Sequence, residues 1–336
     1  MTHKPSVLLI SPDYFNYAQM LKTAFAEKGY EVDWFSDRQG GGFWHKALLR
    51  LNRRLVAGKI KKYLNGILSF CEGRTYDYVI VINAEAITPE FVQALRVQQP
   101  SARFVLYTWD SVANLEMPLK LAPYFDKCYS FDKTDCETYP EFEFLPLFYC
   151  DLESREKYER APRAYDYVCI ATIKPGKIRA IRQVCDELAA HYGRGYVYLF
   201  LQSRLVYLYY KLKYRKEFKG TKMSMFRYKR LSNRECDEIS LQAGIVVDVS
   251  MRHQNGLTMR TFETLARGQR LLTSNGEIAS YDICDPALVY IYDGEKPLDF
   301  SSPFFDENGT LPYNSAIKKY AVTEWIDHLT SIGVMQ

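Results

Sequence analysis

The stretch from Asp248 to Asn275 (DVSMRHQNGLTMRTFETLARGQRLLTSN) constrains the fold more than any other part of the chain. The β-branched run 244–249 before its loop is typical of a buried parallel strand. The polar loop ends in Asn-Gly, and apolar residues then recur at helical spacing until Gly268 ends the helix. The run 270–274 begins the next strand. This order predicts a β-α-β unit, and its helix N-terminus is a natural position for an anionic group.

The same alternation of strands and helices runs through the rest of the 336-residue chain. It predicts doubly wound parallel sheets, and the length is sufficient for two such domains with separate cores. We predict a first Rossmann-like domain over 1–150 and a second over 164–312. The charged segment 151–163 is predicted to be a linker, because it lacks a packing period. A C-terminal helix is predicted within 313–336, over residues 313–332.

A set of five residues in the central stretch carries a family resemblance. Arg260, Phe262, Glu263, Ala266 and Gly268 form the pattern R-x-F-E-x-x-A-x-G. The pattern resembles the nucleotide-sugar motif of GT-B glycosyltransferases, especially CgeB-type enzymes and those of capsule or lipopolysaccharide biosynthesis. The resemblance implies an α/β fold of two Rossmann-like domains that face a cleft, with the C-terminal helix crossing back to the first. The alternative is an ordinary β-α-β unit with an exposed arginine and glutamate.

The resemblance also implies a donor site in the second domain. Glu263 is expected to bind the donor ribose, while the preceding loop and helix start meet the diphosphate. A basic residue at a helix start opposes the helix dipole, which favours a functional reason for Lys177. A lone loop histidine such as His253 is more often neither an acid nor a phosphate ligand. The residues expected at the donor are Thr172, Lys177, Arg179, His253, Gly256, Leu257, Thr258, Arg260 and Glu263.

The sequence departs from the family pattern immediately before the motif. Many retaining members carry a second acid upstream of the ribose glutamate. The corresponding positions here are Asn255 and Gly256, and neither is acidic. The resemblance therefore does not extend to retaining chemistry of that kind.

Candidate catalytic bases follow predicted strands of the first domain. Ligands of open parallel sheets bind beyond the carboxyl ends of the strands, and inverting transfer needs a base for the acceptor hydroxyl. Asp110, Asp13 and Glu85 are the three carboxylates in that position. Asp110 lies in a W-D-S element that resembles the N-terminal domains of CgeB-type enzymes, where a Y-x-F-D pattern (here 129–132) also follows. Each carboxylate could instead cap a helix or stabilise a turn.

Composition excludes several other classes of protein. The net charge of +4 argues against a dedicated DNA-binding protein, and no nucleic-acid partner is expected. The eight cysteines are scattered without zinc-ligand spacing, and no apolar run is long enough for a membrane span. We expect a cytoplasmic protein that binds no metal and no cofactor besides its donor.

The segment Ser203–Leu231 is the most strongly charged part of the chain. It carries ten lysines and arginines, with tyrosines and leucines between them, against Glu217 as the one acid. Such a segment is typical of a surface that binds an anionic membrane near a lipid-linked acceptor. It is equally typical of an RNA-binding surface or of a solvated helix and strand. The membrane-binding alternative implies a peripheral position on the inner face of the plasma membrane.

The sequence therefore predicts a metal-independent glycosyltransferase of bacterial surface polysaccharide biosynthesis. It would move a sugar from a nucleotide-sugar donor to a glycan or lipid-linked acceptor. One alternative is a sugar-nucleotide epimerase of the same fold. Another is a non-catalytic protein that binds a glycan or a membrane, and the residual case is an unrelated doubly wound binding protein.

Overall fold

A computed structural model describes residues 4–13, 16–37, 53–112, 115–250, 255–294, 296–306 and 312–331. The chain forms two compact units. The first contains residues 1–150 together with 322–336, and the second contains residues 151–321. The chain therefore leaves the first unit once and returns to it after the second unit is complete.

The first unit contains a six-stranded parallel sheet in the order β2-β1-β3-β4-β5-β6. The central strands are continuous apolar runs that are buried on both faces, as parallel sheets covered by helices require. Chain order reverses between β1 and β3, which makes the edge between these strands the topological switch point. The strands are β1 (Ser6–Ser11), β2 (Glu31–Ser36), β3 (Tyr78–Ile82), β4 (Arg103–Thr108), β5 (Lys127–Ser130) and β6 (Glu143–Phe144).

The second unit contains another six-stranded parallel sheet, in the order β12-β11-β10-β7-β8-β9. This order is that of the dinucleotide-binding Rossmann fold. The switch point lies between β7 and β10, which are neighbours in the sheet. The strands are β7 (Tyr165–Thr172), β8 (Gly195–Phe200), β9 (Phe226–Arg227), β10 (Ala243–Asp248), β11 (Arg270–Thr273) and β12 (Val289–Ile291).

Helices connect most of the strands, and local sequence signals fix several of their ends. The side chain of Thr88 accepts from the backbone N–H of Phe91 and caps the helix Pro89–Gln98, and Ser232 forms a capping box with Glu235 at the start of the helix Asn233–Leu241. The described helices are α1 (Tyr17–Glu27), α2 (Arg53–Cys71), α3 (Pro89–Gln98), α4 (Glu116–Leu121), α5 (Lys133–Thr138), α6 (Ser154–Arg160), α7 (Ile178–His191), α8 (Arg204–Lys213), α9 (Asn233–Leu241), α10 (Met259–Ala266) and α11 (Val322–Thr330).

The predicted fold class, α/β with two Rossmann-like doubly wound domains, is confirmed by these two sheets. The predicted linker 151–163 is wrong, because it belongs to the second unit and residues 154–160 of it form α6. Tyr158 is buried, and Arg163 stacks over its ring, with 3.6 Å from the guanidinium carbon to the ring centroid. Three (i, i+4) ion pairs among exposed side chains account for the high charge of the segment.

The predicted single helix over 313–332 is also wrong. A 3-10 helix, Ser315–Tyr320, ends at Ala321, whose backbone is extended, and α11 begins at Val322. The backbone N–H of Val322 donates to the carbonyl of Tyr149 at 2.9 Å, whereas the hydroxyl of Tyr320 donates to Asp282 at 3.0 Å. Each half of the predicted helix is therefore held by a different unit.

No helix within the described ranges combines the length and the apolar character that crossing a membrane requires.

Candidate functional site

The site in the second unit lies at the carboxyl ends of β7 and β10, the two strands of the switch point. Asp248 is the last residue of β10, and its side chain is 13% exposed. The Thr258 hydroxyl donates to Asp248 Oδ2 at 2.7 Å, and Arg260 Nη1 lies 3.6 Å from Asp248 Oδ1. The same Arg260 nitrogen donates to the carbonyl of Ile170 on β7 at 2.7 Å. Arg260 therefore joins the start of α10 to both central strands.

Lys177 brings a second cation to the same place. It precedes the first residue of α7, and its Nζ lies 3.4 Å from the carbonyl oxygen of Val249, directly after β10. Burial lowers the pKa of Lys177, Asp248 opposes this shift, and the neighbouring Arg260 adds to it. Burial also acts to lower the pKa of Arg260, but the carboxylates of Asp248 and Glu263 raise it above its ordinary value. Two cations are thus concentrated around one carboxylate.

The N-terminus of α10 opens onto this cluster. Thr258 is the N-cap residue, but its side chain accepts no hydrogen bond from a backbone N–H of the first turn, since its hydroxyl donates to Asp248. The first turn contains no acidic residue. A helix start without a side-chain cap, next to two cations, has the chemistry of an anion-binding site.

Asn275 supports the turn before α10. Its amide nitrogen donates to the carbonyls of Asn255 and Gly256 at 3.2 Å each, and its side-chain oxygen caps the following 3-10 helix. Sequence reasoning missed both Asn275 and the anchoring Asp248. The position of each at a strand end was the available signal, because that edge of a parallel sheet carries ligand sites.

The structure places the remaining predicted donor residues as follows. Thr172 ends β7 and is half-buried, while Gly256 and Leu257 are buried in the turn before α10. Arg179 is exposed on α7. Burial raises the pKa of Tyr292, and the charge of Arg179 opposes part of this rise. His253 lies outside the described residues. The structure therefore brings Lys177, Thr258 and Arg260 together, with Glu263 near Arg260.

In the first unit, an unusual backbone turn follows β3. Asn83 and Ala84 both have left-handed backbone angles, with φ of 61° and 56°. The N–H of Ala84 donates to the carbonyl of Ile82 at 2.8 Å, which makes this a γ-turn around Asn83. Backbone strain of this kind costs about 1–3 kcal/mol for a residue and is concentrated at functional sites.

The side chain of Asn83 links this turn to the predicted base Asp110. Its amide donates to Asp110 Oδ2 at 3.0 Å, and its oxygen accepts from the backbone N–H of Trp109 at 2.9 Å. Asn83 is fully buried, whereas Asp110 is exposed. Because a buried amide holds one carboxylate oxygen, Asp110 has a fixed position at the end of β4.

The other two predicted carboxylates lie at the switch point of the first sheet. Asp13 is exposed after β1, and Glu85 is half-buried after the γ-turn. The backbone N–H of Glu85 donates at 3.3 Å to the buried carboxylate of Asp37, which follows β2. Sequence reasoning missed Asp37 and assigned Asn83 only a position after β3, since neither an isolated amide nor a carboxylate before a glycine-rich segment forms a motif.

A buried carboxylate holds the W-D-S element in place through hydrogen bonds. Asp135 accepts hydrogen bonds from the Ser111 hydroxyl at 2.9 Å, the Val112 N–H at 2.8 Å and the Ser130 hydroxyl at 2.7 Å. The element and the Y-x-F-D segment are therefore connected through Asp135. Among the described residues, no group of three or more His, Cys, Asp or Glu is arranged to hold a metal ion.

Comparison with known proteins adds evidence on the fold. No protein-family model matches the sequence significantly, and neither does any curated protein. Solved structures do match along nearly the whole chain. An α,α-trehalose-phosphate synthase (UDP-forming) from Burkholderia xenovorans, in complex with glucose-6-phosphate, is similar with a TM-score of 0.62 and 11% identity, covering 97% of this chain and 99% of that one.

Two further structures contain uridine nucleotides. Anabaena Alr3699/HepE in complex with UDP and glucose has a TM-score of 0.52 and 11% identity, covering 98% of this chain and all of that one. The UDP-GlcNAc 2-epimerase of Methanocaldococcus jannaschii, in complex with UDP-GlcNAc and UDP, has a TM-score of 0.51 and 8% identity over 98% of this chain and 100% of that one. At these identities the likeness establishes the fold alone, which is a GT-B fold with two Rossmann-like domains.

Proposed function

We propose that the protein is a glycosyltransferase that takes a nucleotide-sugar as its donor. The cluster at the start of α10 is the observation that carries this proposal. Lys177 and Arg260 concentrate positive charge beside a helix N-terminus whose N-cap side chain is turned away. A diphosphate that departs during transfer needs this combination of charge and backbone N–H groups.

Asp248 has a definite part in this proposal. Before a donor binds, its carboxylate offsets the charge of the two cations and holds Thr258 and Arg260 in place. When the diphosphate arrives, it attracts Lys177, whose ammonium lies 3.4 Å from the backbone carbonyl of Val249. Glu263, in the second turn of α10, is then the residue that we assign to the ribose hydroxyls. Thr172, Arg179, His253, Gly256 and Leu257 complete the proposed donor set.

We assign the base to Asp110. The Asn83 amide fixes one of its oxygens and leaves the side chain exposed at the carboxyl edge of the first sheet. In the proposed reaction, Asp110 takes the proton of the acceptor hydroxyl while the diphosphate leaves, so that the configuration at the sugar carbon is inverted. Asp13 and Glu85 follow strands at the switch point of the same sheet and are the second and third candidates.

The proposed acceptor is a glycan or a lipid-linked glycan of bacterial surface polysaccharide, such as capsule or lipopolysaccharide. The resemblance of the W-D-S and R-x-F-E-x-x-A-x-G elements to CgeB-type enzymes supports this class. The proposed place of action is the cytoplasm, with peripheral attachment to the inner face of the plasma membrane. The mechanism uses helix dipole and side-chain cations at the diphosphate, and we propose that it is metal-independent.

A sugar-nucleotide epimerase is the second candidate, and its support is the likeness to the M. jannaschii epimerase. An epimerase needs the donor site but no separate acceptor. Incubation with UDP-sugars and analysis of the products by NMR separates the two activities, because an epimerase interconverts the free nucleotide-sugars without any acceptor. A non-catalytic protein that binds a glycan or a membrane would leave both the nucleotide-sugars and the acceptor unchanged.

Nucleotide binding is the first experiment that tests the proposal. Melting temperatures of the wild type and of Glu263→Ala are compared with UDP, GDP, CMP, ADP and dTDP present. A nucleotide at about 100 times its dissociation constant stabilises the folded protein by about 2.7 kcal/mol, so we expect one nucleotide to raise the melting temperature of the wild type alone.

The matched control is Glu238→Ala, which removes an exposed glutamate from α9 of the same unit. It should keep the full nucleotide response. If no nucleotide stabilises the wild type at saturating concentration, the donor-site proposal is wrong. If Glu263→Ala and Glu238→Ala respond alike, nucleotide binds elsewhere.

A further inference from the structure

The helix α8 exposes an apolar stripe to solvent on the side opposite the core. Tyr207 is buried and Val206 and Tyr210 pack against the core of the second unit. The opposite side carries Leu205, Leu208, Tyr209 and Leu212, which are 76%, 46%, 52% and 67% exposed. This spacing of i, i+3, i+4 and i+7 places the four on one face of the helix, which we call the α8 face.

Cations surround the α8 face, and acids are nearly absent. Seven exposed lysines and arginines lie on α8 or directly after it: Arg204, Lys211, Lys213, Arg215, Lys216, Lys219 and Lys222. Within the part of the chain that the structure describes, none of the seven lies within salt-bridge distance of a carboxylate. The carboxylates of the described residues therefore leave the charge of these side chains unpaired.

A shallow hollow of about 560 Å³ lies at the C-terminal end of the face. Leu208, Leu212 and Phe218 form its apolar wall, and Lys211, Arg215 and Lys219 stand around it. The hollow thus places apolar carbon directly beside cations. A phospholipid surface offers the complementary pair, an acyl region beneath a layer of phosphates.

We propose that the α8 face is a docking surface for an anionic lipid bilayer, which rests on the peripheral attachment proposed above and names the surface that makes it. In the bound state the three leucines enter the boundary between headgroups and acyl chains, and the surrounding lysines and arginines contact lipid phosphates. Tyr209 lies at the headgroup level, where aromatic rings with a polar tip are favoured.

Two other occupants are less compatible with these side chains. A second copy of the chain across a two-fold axis would place the same cations against one another, which costs energy at every approach. RNA phosphates would pair with the cations, but the RNA backbone and bases gain little from contact with three exposed leucines on one helix face. The combination of leucines and cations therefore favours a bilayer.

The test is flotation of the full chain with vesicles of phosphatidylcholine alone and of phosphatidylcholine mixed with phosphatidylglycerol, at low and high salt. We expect binding to the anionic vesicles alone, weakened by salt. Arg215→Gln/Lys216→Gln/Lys219→Gln should lower the partition coefficient about 100-fold. Each cation near the surface contributes about 1 kcal/mol, and each 1.4 kcal/mol corresponds to a factor of about ten. Leu205→Gln/Leu212→Gln should abolish flotation, while glutamine maintains the helix.

Matched variants control for charge and for apolar content. Arg160→Gln/Arg234→Gln/Lys296→Gln removes three exposed cations from other surfaces of the second unit. Val97→Gln/Leu152→Gln removes two exposed apolar side chains from elsewhere. Both controls should float like the wild type. UDP binding, measured in parallel on all variants, should not change, so that failure of this proposal is distinguishable from failure of the proposed donor site.

Four outcomes would overturn the proposal. One is no flotation with either vesicle at low salt, and another is equal binding to neutral and anionic vesicles. The third is that the leucine variant floats normally while the cation variant does not, since the surface then binds polyanions such as RNA. The fourth is a dimer, seen by sedimentation without vesicles, that Leu205→Gln/Leu212→Gln dissociates, because the face is then an interface between copies.

Discussion

At the scale of single residues, Lys177 combines a cost in stability with a proposed use in binding. Its ammonium is half-buried near Asp248 and Arg260, and burial lowers its pKa. A group with a lowered pKa binds its proton less tightly in the folded protein than in the unfolded one. While Lys177 is charged, the folded state therefore bears an energetic penalty that an anionic ligand would relieve.

We predict that Lys177→Met stabilises the protein and weakens nucleotide binding. Near neutral pH the free energy of unfolding should rise by about 1 kcal/mol, as at other sites where function opposes stability. The affinity for the nucleoside diphosphate should fall about 10- to 100-fold, because a charge-assisted hydrogen bond is lost. Urea unfolding and calorimetric titration measure the two effects.

The pH dependence of both effects has a definite sign. As pH rises through the lowered pKa of Lys177, the wild type gains stability relative to Lys177→Met and loses affinity for the diphosphate, because the ammonium is deprotonated. Lys174→Met, an exposed lysine in the same loop, is the control and should change neither quantity much. A destabilised Lys177→Met protein would mean that Lys177 is a structural cation.

At the scale of secondary-structure elements, Gly268 ends α10 with a left-handed backbone. Its φ is 69°, its N–H donates to the carbonyl of Leu265 at 3.0 Å, and the next N–H, of Gln269, reaches Thr264 at 3.1 Å. These two hydrogen bonds form a Schellman motif. The C-terminal end of α10 therefore depends on a glycine at position 268.

We predict that Gly268→Ala destabilises the protein by about 1–2 kcal/mol, the cost of a left-handed alanine. The new Cβ would also lie 3.2 Å from Nη1 of Arg155 on α6. Gly276→Ala is the control: its Cβ would have no atom within 4 Å, and we expect a change within about 0.5 kcal/mol. Urea unfolding compares them, and equal stabilities would contradict a left-handed helix end.

Elements with a strong apolar period were predictable from the sequence, and others were not. The unit around Asp248 was predicted within about a residue, since the strand at 244–249 is Ala243–Asp248 and the helix from Thr258 begins at Met259. The helix α6 was missed because ion pairs and one buried tyrosine replace an apolar stripe. The break at Ala321 has no local signal, since the carbonyl of Tyr149 determines where α11 begins.

The candidate site divides in the same way. Lys177, Thr258 and Arg260 were predictable, because a strand end, a helix start and a motif coincide there. The contacts of Asn83 were not, although its position after a strand was, since the γ-turn and the hydrogen bonds to Trp109 and Asp110 form only in the folded sheet. Their roles in donor binding and catalysis stay predictions that the nucleotide screen addresses.

At the scale of the whole molecule, each unit has its own core, and α11 belongs to the first. Trp325 is buried against Phe148, with ring centroids 4.5 Å apart, and against Tyr107 at 5.0 Å. Tyr78 donates to the carbonyl of Thr330 at 2.8 Å, and Lys28 pairs with Asp327 at 2.7 Å. The helix is an integral part of the first unit.

We predict that Trp325→Ala and Phe304→Ala loosen different units. Each removes a buried aromatic side chain, at a cost of about 3–5 kcal/mol; Phe304 is fully buried in the core of the second unit. Hydrogen exchange followed by mass spectrometry should show faster exchange in residues 4–112 and 322–331 for Trp325→Ala, and in residues 165–250 for Phe304→Ala. Equal loosening of both units by either variant would contradict separate cores.

The return of the chain at Val322 has a consequence for the order of folding. The second unit is one continuous segment, 151–321, whereas the first requires residues separated by 252 positions at Tyr78 and Thr330. During synthesis from the N-terminus, domains generally fold in the order in which they are made. Here the strands of the first unit are synthesised early, but this unit is complete only after α11 has been made. The second unit is synthesised later and can nevertheless finish folding first.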